Sequence, residues 1–239
     1  MSYEKFYRYY DLVMGDRLAA ARYIAGLIAL HKPEATTVLE IACGTGAILG
    51  LLSESYEVAG LDRSRPMLSI AKKRLPQVRF YRQDMTGFRL ARRFDVIVCA
   101  FDSINHLVKF SDWKKTFRCA AQHLNNGGLF IFDINTSGKL QRLTEGPAWE
   151  KWFGRDLLII KVTGGRPNKF IWDVKIFEHH GRNRYQLIHE EIPEVAFPLR
   201  KILIALRANF IGVKVLDPFG PRASDRSERL YFVCKAARR

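Results

Sequence analysis

The sequence predicts an α/β protein: a doubly wound, mostly parallel sheet that carries an inserted antiparallel β subdomain. Three observations predict it. Short apolar runs alternate with helical patterns between about residues 36 and 136. The connections are short, so each helix must cross back over the sheet to the next parallel strand. Beyond residue 136 the pattern changes to two-residue alternation, which suits antiparallel strands with one solvated face.

The elements follow in order. An aromatic segment, Tyr3 to Tyr10, leads into a helix from about Asp16 to Leu30, where Leu18, Tyr23, Ile24, Leu27 and Ile28 recur at helical spacing; Pro33 stops it. Val38 to Ala42 is the first strand, and a glycine turn opens a helix from Ala47 to Ser53. Val58 to Asp62 is the second strand. Ser64 can cap the free amides of the next helix and Pro66 suits its first turn, and the helix runs to Leu75. Val78 to Gln83 is the third strand. Phe94 to Ala100 is the fourth, its unbroken apolar run predicting burial on both faces. Ser111 starts a helix to Leu124, Asn125-Asn126-Gly127-Gly128 ends it, and Leu129 to Phe132 is the fifth strand.

In the insertion, Trp172, Val174 and Ile176 alternate with Asp173, Lys175 and Phe177. A turn at His180 to Asn183 precedes a second strand from Arg184 to Ile192. Pro198 to Ala208 reads as a helix, and Gly212–Leu216 with Arg229–Lys235 closes the sheet at seven strands. The expected division is 1–136 with 198–239 as the ligand-binding domain, its N-terminal segment a helical lid, and 137–197 as an insertion over the substrate site.

At 239 residues, 48% hydrophobic and 26% charged, the composition fits a folded globular chain and excludes disorder. No apolar run reaches the roughly 18–20 residues that cross a bilayer. The first residues lack the basic-then-apolar pattern of a leader, so the expected location is cytoplasmic. Cys43, Cys99, Cys119 and Cys234 show no C-x-x-C spacing, and the expectation is buried thiols and no metal. The net charge of +15 admits an anionic small substrate or a nucleic acid. Its basic clusters are short, Lys72-Lys73-Arg74 being typical, which favours a solvated surface.

The informative segment is Glu40-Ile41-Ala42-Cys43-Gly44-Thr45-Gly46. A chain that leaves a buried strand and turns at once into a helix needs residues without bulk, and glycine lets backbone approach a ligand. Asp62, 16 residues beyond Gly46, ends the neighbouring strand, where a carboxylate can accept from two ribose hydroxyls. The third glycine of a dinucleotide fingerprint is absent, Leu49 standing there. A nucleoside ligand without phosphates fits better.

These residues, in this order, resemble the class I S-adenosylmethionine-dependent methyltransferases and their Rossmann-like fold. Val38 to Gly46 resembles their first motif, Leu61-Asp62-Arg63-Ser64 with Met67-Leu68 the second, and Gln83-Asp84-Met85 the segment beside adenine. Phe101 to His106 and Phe132 to Asn135 resemble a bacterial subgroup acting on small molecules. The resemblance implies S-adenosyl-L-methionine as cofactor and methyl transfer to nitrogen or oxygen of a small acceptor. It implies that Gly44 and Gly46, with Ala42 and Thr45, surround the methionine part, which Glu40 orients. Asp62, beside Arg63, would take the ribose, Met67 and Met85 would border the adenine, and Asp84 would accept from its amino group. Phe101, Asp102, Asn105 and His106 would border the sulfonium and the acceptor, with Asn135 and His189 as further substrate contacts, His106 as base, and Tyr10 in the lid. Trp149, Trp152 and Trp172 read as core or inter-subunit packing rather than pocket walls.

Two alternatives remain. A nucleic-acid methyltransferase would suit the charge, but Asp102-Ser103-Ile104-Asn105 stands where base-amino enzymes carry D/N-P-P-Y/F. A non-catalytic cofactor-binding protein would share every cofactor residue. A homodimer is admitted by the sequence and not required by it.

Overall fold

β1 (Thr37–Ile41), β2 (Glu57–Asp62), β3 (Arg79–Arg82), β4 (Phe94–Cys99), β5 (Leu124–Asn135), β10 (Gly212–Leu216) and β11 (Arg229–Lys235) form one sheet in a computed structural model that describes residues 5–166, 168–182 and 184–237. Tyr3 and Asn183, named in the predicted aromatic segment and hairpin turn, lie outside those residues. The strand order is β10-β11-β5-β4-β1-β2-β3, with β11 antiparallel to both neighbours and the other pairings parallel.

Alternation along the central strands sorts their side chains between two layers. Val38, Val96, Val98 and Ile131 pack with α2 (Leu18–His31) and α3 (Ala47–Leu52). Leu39, Ile97, Phe130 and Phe132 pack with α5 (Phe110–His123) and α7 (Leu199–Arg207). Both faces of the sheet are therefore covered, which is why these strands read as continuous apolar runs. α4 (Arg65–Arg74) begins as the sequence predicts, with the Ser64 hydroxyl accepting from the Met67 amide and Pro66 in the first turn. Among the described residues no helix is long and apolar enough to cross a membrane.

The second sheet has four antiparallel strands in sequential order: β6 (Trp149–Phe153), β7 (Asp156–Arg166), β8 (Lys169–His179) and β9 (Tyr185–Val195). Sequence alternation identified only the last two. It missed β6 and β7, and also α6 (Ser137–Glu145), whose Thr136 cap accepts from the Lys139 amide. In β7, Leu157 to Ile160 are four successive apolar residues, so no alternation marks the face. β5 starts at Leu124, directly after α5, where the sequence suggests a glycine turn; Gly127 alone takes positive φ, +66°.

The inner face of this sheet, Leu158, Ile160, Val174, Ile176, Ile188 and Ile192, receives Phe6 and Tyr9 from the N-terminal segment. That segment comprises a 3₁₀ turn at Phe6–Arg8 and α1 (Tyr10–Met14). The Phe6 amide donates to Glu190 (2.9 Å), and the Tyr9 hydroxyl lies 2.8 Å from Asp156 and 2.9 Å from Glu178. At its other end, Asp11 accepts from the Thr45 hydroxyl (2.7 Å) and from Arg74 (2.7 Å). The segment thus spans both sheets.

Candidate functional site

β1 and β4 are neighbours in the sheet but are separated in the chain by two other strands, so the winding reverses between them. Open α/β sheets hold ligands at the carboxyl ends of such strands. The backbone there is unusual. Ala42, Phe101 and Asp102 take positive φ of 54°, 55° and 48° without being glycine. Such conformations cost about 1–3 kcal/mol each and concentrate at functional sites.

Three adjoining cavities open at this point. The first is bordered by Gly44, Asp62, Arg63, Met67, Asp84, Met85 and also Gln83. The second, smaller one is bordered by Arg17, Glu40, Ala42 and Thr45. The third, about 350 Å³, lies under the inner face of the second sheet. Tyr10 and Phe101 border all three, and His106 borders the first and third.

Gly44 (φ +53°) presents its bare backbone to this space: a Cβ there would meet only the Tyr10 ring at 4.0 Å. Gly46 is different. It takes φ +72° as the N-cap of α3, a Cβ would press within 3.3 Å of Ala71, and it borders none of the three cavities. Its part in the turn is conformational, and the expectation that it flanks the ligand is corrected.

Asp62 is nearly buried. One oxygen accepts from the Gly44 amide (2.8 Å) and the other from the Ser64 amide (2.7 Å), which fixes the carboxyl and leaves each oxygen a further lone pair. Burial raises its pKa. Asp84 accepts from the amide and hydroxyl of Thr86 (2.8 and 2.7 Å), which shapes the loop at the other wall.

The second cavity is bordered by two buried polar groups of opposite charge. Glu40, 4% exposed, has an Oε2 with no hydrogen-bond partner, and the Nη2 of Arg17, 6% exposed, makes no hydrogen bond and is ion-paired with Asp11 at 3.5 Å. Burial, and secondarily the Asp62 charge, push the Glu40 carboxyl up to about 8. Unmet buried acceptors and donors cost about 1–3 kcal/mol each. A ligand carrying an ammonium and a carboxylate on one carbon would satisfy both. Sequence reasoning missed Arg17, whose approach depends on the turn between α1 and α2.

The third cavity has an apolar flank that includes Trp149, Trp172, Ile160, Val174 and Ile192, and a polar end. Two of the tryptophans assigned to packing are thus cavity walls, while Trp152 is 57% exposed. At the polar end Arg229 donates to Asp102 (2.6 Å), to Asn135 (3.2 Å) and to Asp133. Lys139 donates to the Asn135 side-chain oxygen (2.8 Å), whose amide donates to Glu194 (3.3 Å). Burial opposes ionisation of Asp102, yet the charges of Arg229 and Lys139 hold it well below the usual range. Burial and the Asp102 charge raise Glu194 far above it.

His106 stands between the cavities. Its Nδ1 is 3.1 Å from the Pro193 carbonyl, which can only accept, so Nδ1 carries the proton and Nε2 is the acceptor in the neutral ring. Nε2 lies 3.8 Å from Glu194. Burial lowers its pKa, against the Asp102 charge. Asp102, His106 and Glu194 place one ligand-type atom each within 4.8 Å of one another, but Arg229 already pairs with Asp102.

Two predicted substrate contacts are corrected. Asn105 is fully buried: its amide donates to the carbonyls of Asn135 (2.9 Å) and Val195 (3.0 Å), and its oxygen accepts from the Asn135 amide (3.2 Å). It ties β5 to β9 and borders none of the three cavities. His189 pairs with Asp173 on the outer face of the second sheet, because odd residues of β8 and β9 point away from the cavity and even ones toward it. The acid that β9 does deliver is Glu194, five residues on.

Comparison with known proteins bears on the whole arrangement. Residues 38–128 match the model of a methyltransferase domain. A dTDP-3-amino-3,4,6-trideoxy-alpha-D-glucopyranose N,N-dimethyltransferase of Streptomyces venezuelae is 36% identical over 119 residues, covering 49% of the chain and about half, 50%, of that relative's length. A putative methyltransferase of Geobacillus sp. is 30% identical over 98% of the chain and 100% of its own. Among solved structures, an S-adenosylmethionine-dependent methyltransferase from Clostridium acetobutylicum superposes with a TM-score of 0.84 at 24% identity, covering 98% of this chain and 99% of that one. The sugar N-methyltransferase KedS8 from Streptoalloteichus sp. does so with 0.84 at 22%, covering 100% and 94%. With the fold, the turn after β1 and full-length similarity in agreement, the chain belongs to the class I S-adenosylmethionine-dependent methyltransferases.

Proposed function

We propose that the protein transfers a methyl group from S-adenosylmethionine to the amino nitrogen of a small molecule. The observation that carries this reading is the meeting of the cofactor-type cavities with a separate cavity under the second sheet at Tyr10, Phe101 and His106. In this reading residues 137–197 form the insertion that roofs the acceptor. A cavity of about 350 Å³ suits a ligand of monosaccharide size. The amino-sugar activity in the names of several relatives agrees with that size.

Asp62 would hold the ribose, Met67, Asp84 and Met85 the adenine side, and Arg17 with Glu40 the carboxylate and ammonium of the methionine part. The cofactor supplies an activated methyl on a sulfonium, a good leaving group. The remaining task of the chain is to place an unprotonated amine in line and to keep water out. Tyr10, held across both sheets by its neighbours in the N-terminal segment, closes the junction. His106 Nε2 is fixed as an acceptor beside it, neutral because burial depresses its pKa, and takes the proton that the amine must lose. The Asp102 carboxylate stabilises the imidazolium so formed.

His106→Gln tests the assignment. A base at this position contributes about 10²–10⁴-fold, so kcat falls by about a hundredfold or more. Because the wild-type pKa is lowered, wild-type activity declines only below the ordinary histidine range, and that acid limb disappears in the variant. A variant retaining both rate and limb would rule out His106 as the base.

A further inference from the structure

The second sheet turns one face toward the third cavity and the other away from it. Side chains alternate between the faces, and the strand register decides which of them line up on the outer one. Trp152 of β6 stands opposite Leu157 of β7, Leu157 opposite Phe177 of β8, and Phe177 opposite Leu187 of β9. Four large apolar side chains thus form one row across all four strands. Trp152 is 57% exposed and Leu187 53%, while Leu157 and Phe177 are half-buried. None of the four belongs to the apolar clusters of the interior. Exposed hydrophobic side chains scattered singly are ordinary, but a contiguous row marks a surface that another body covers.

The charges beside the row decide what fits it. In the next outward-facing row Glu150 lies at the β6 end, and Lys175 and His189 lie at the β8 and β9 end. A two-fold axis parallel to the strands and midway between β7 and β8 exchanges β6 with β9 and β7 with β8. Between two facing copies it lays the apolar row on itself and sets Glu150 of each copy against His189, beside Lys175, of the other. The face is therefore complementary to itself, as an isologous interface requires. Within one copy Lys175 and His189 already pair with Asp173, so covering them strands no lone charge. A polyanion would instead meet Glu150, Asp173 and Glu191. The size also suits a second copy. With 11 residues each in β7, β8 and β9, the face measures about 20 Å by about 35 Å. That is on the order of 700 Å², close to the roughly 800 Å² per partner of a standard interface.

We propose that two copies of the chain pair through the outer face of the second sheet, row on row, as a two-fold dimer. The two sheets lie about 10 Å apart with their strand directions within about 30° of each other. Trp152 of each copy is covered by Leu187 of the other. The inner face of the same sheet borders the third cavity, so each copy backs a wall of its partner's cavity. The proposal stands apart from the methyl-transfer reading, because none of the four residues of the row borders a cavity of the site.

Sedimentation equilibrium of the full chain tests it. At tens of micromolar the wild type sediments at twice the 27.6 kDa mass of one chain. Leu187→Asp raises the dimer dissociation constant by about a hundredfold or more, because each dimer loses two buried leucines at once. Trp152→Ser, at the other end of the row, acts in the same direction, and both variants keep the far-ultraviolet circular dichroism of wild type. Glu150→Lys and His189→Glu each weaken the dimer, and the two together in one chain restore it. A monomeric wild type at these concentrations would overturn the proposal. So would a dimer that persists in both Leu187→Asp and Trp152→Ser, since its contact would lie on another face. Failure of the combined charge exchange to restore association would overturn the two-fold arrangement.

Discussion

Glu40 gives the most quantitative handle on the cofactor site. With its carboxyl pushed up to about 8, roughly nine-tenths of molecules carry the proton at pH 7 and about a quarter at pH 8.5. An ammonium seated at its unpartnered oxygen favours the ionised form. Binding of S-adenosylhomocysteine at pH 7 therefore releases close to one proton from Glu40, and distinctly less at pH 8.5. Affinity carries the same signature. A charged acceptor outperforms a neutral amide by about 2 kcal/mol, but ionising Glu40 at pH 7 costs about 1 kcal/mol of that. Glu40→Gln thus weakens binding by about fivefold at pH 7, and by more at pH 8.5, where the ionisation cost is smaller. Calorimetry in buffers of different ionisation enthalpy reads both quantities. Unchanged proton release in Glu40→Gln, or an affinity ratio independent of pH, would refute the ammonium site. Ligand-free stability supplies an independent sign check. A raised carboxyl pKa adds stability that is complete below the unfolded value and is lost as pH rises through the folded one. Between about pH 4.5 and 8 the wild type therefore loses up to about 1.4 kcal/mol per pH unit from this group, a slope that Glu40→Gln removes.

Further outcomes follow from the same geometry. Asp62→Ala removes the charged acceptor proposed for the ribose and frees the Gly44 and Ser64 amides that it orders, so S-adenosylhomocysteine affinity falls by about 2 kcal/mol or more, roughly thirtyfold; unchanged affinity by calorimetry would refute the role. Asn105→Leu strands two buried carbonyls and an amide, and urea unfolding shows a loss of about 2–3 kcal/mol. A variant as stable as wild type would show that Asn105 does not tie β5 to β9.

The +15 charge finds no counterpart at the proposed acceptor cavity, where the carboxyl groups Asp102 and Glu194 match the cations Lys139 and Arg229 in number. Charge summed over a chain describes its surface, whereas a cavity's charge is set by the few groups that the fold turns inward.

How much was legible in the residues depends on how local the cause is. The parallel core, the turn after the first strand and the acid ending the second were readable because each follows from period, turn chemistry and spacing within a few residues. Ala42, Gly44, Asp62 and Met67 accordingly border cavities in the fold. β6, β7 and α6 escaped detection because apolar residues occupy both faces of β7 and little in the sequence separates one short element from the next. The choice between His189 and Glu194 turns on strand parity, which is invisible until the register of β8 against β9 is known. A one-residue offset sends a side chain to the opposite face of the sheet. Arg17, Lys139, Trp172 and Arg229 lie in four different segments of the chain and carry no motif. Sequence alone determined the end of the site proposed for adenosine, where one turn and its neighbouring strand border the cavity. Only the tertiary structure decided the acceptor end, because groups from α6, β8, β9 and β11 meet there by packing and by no shared spacing along the chain.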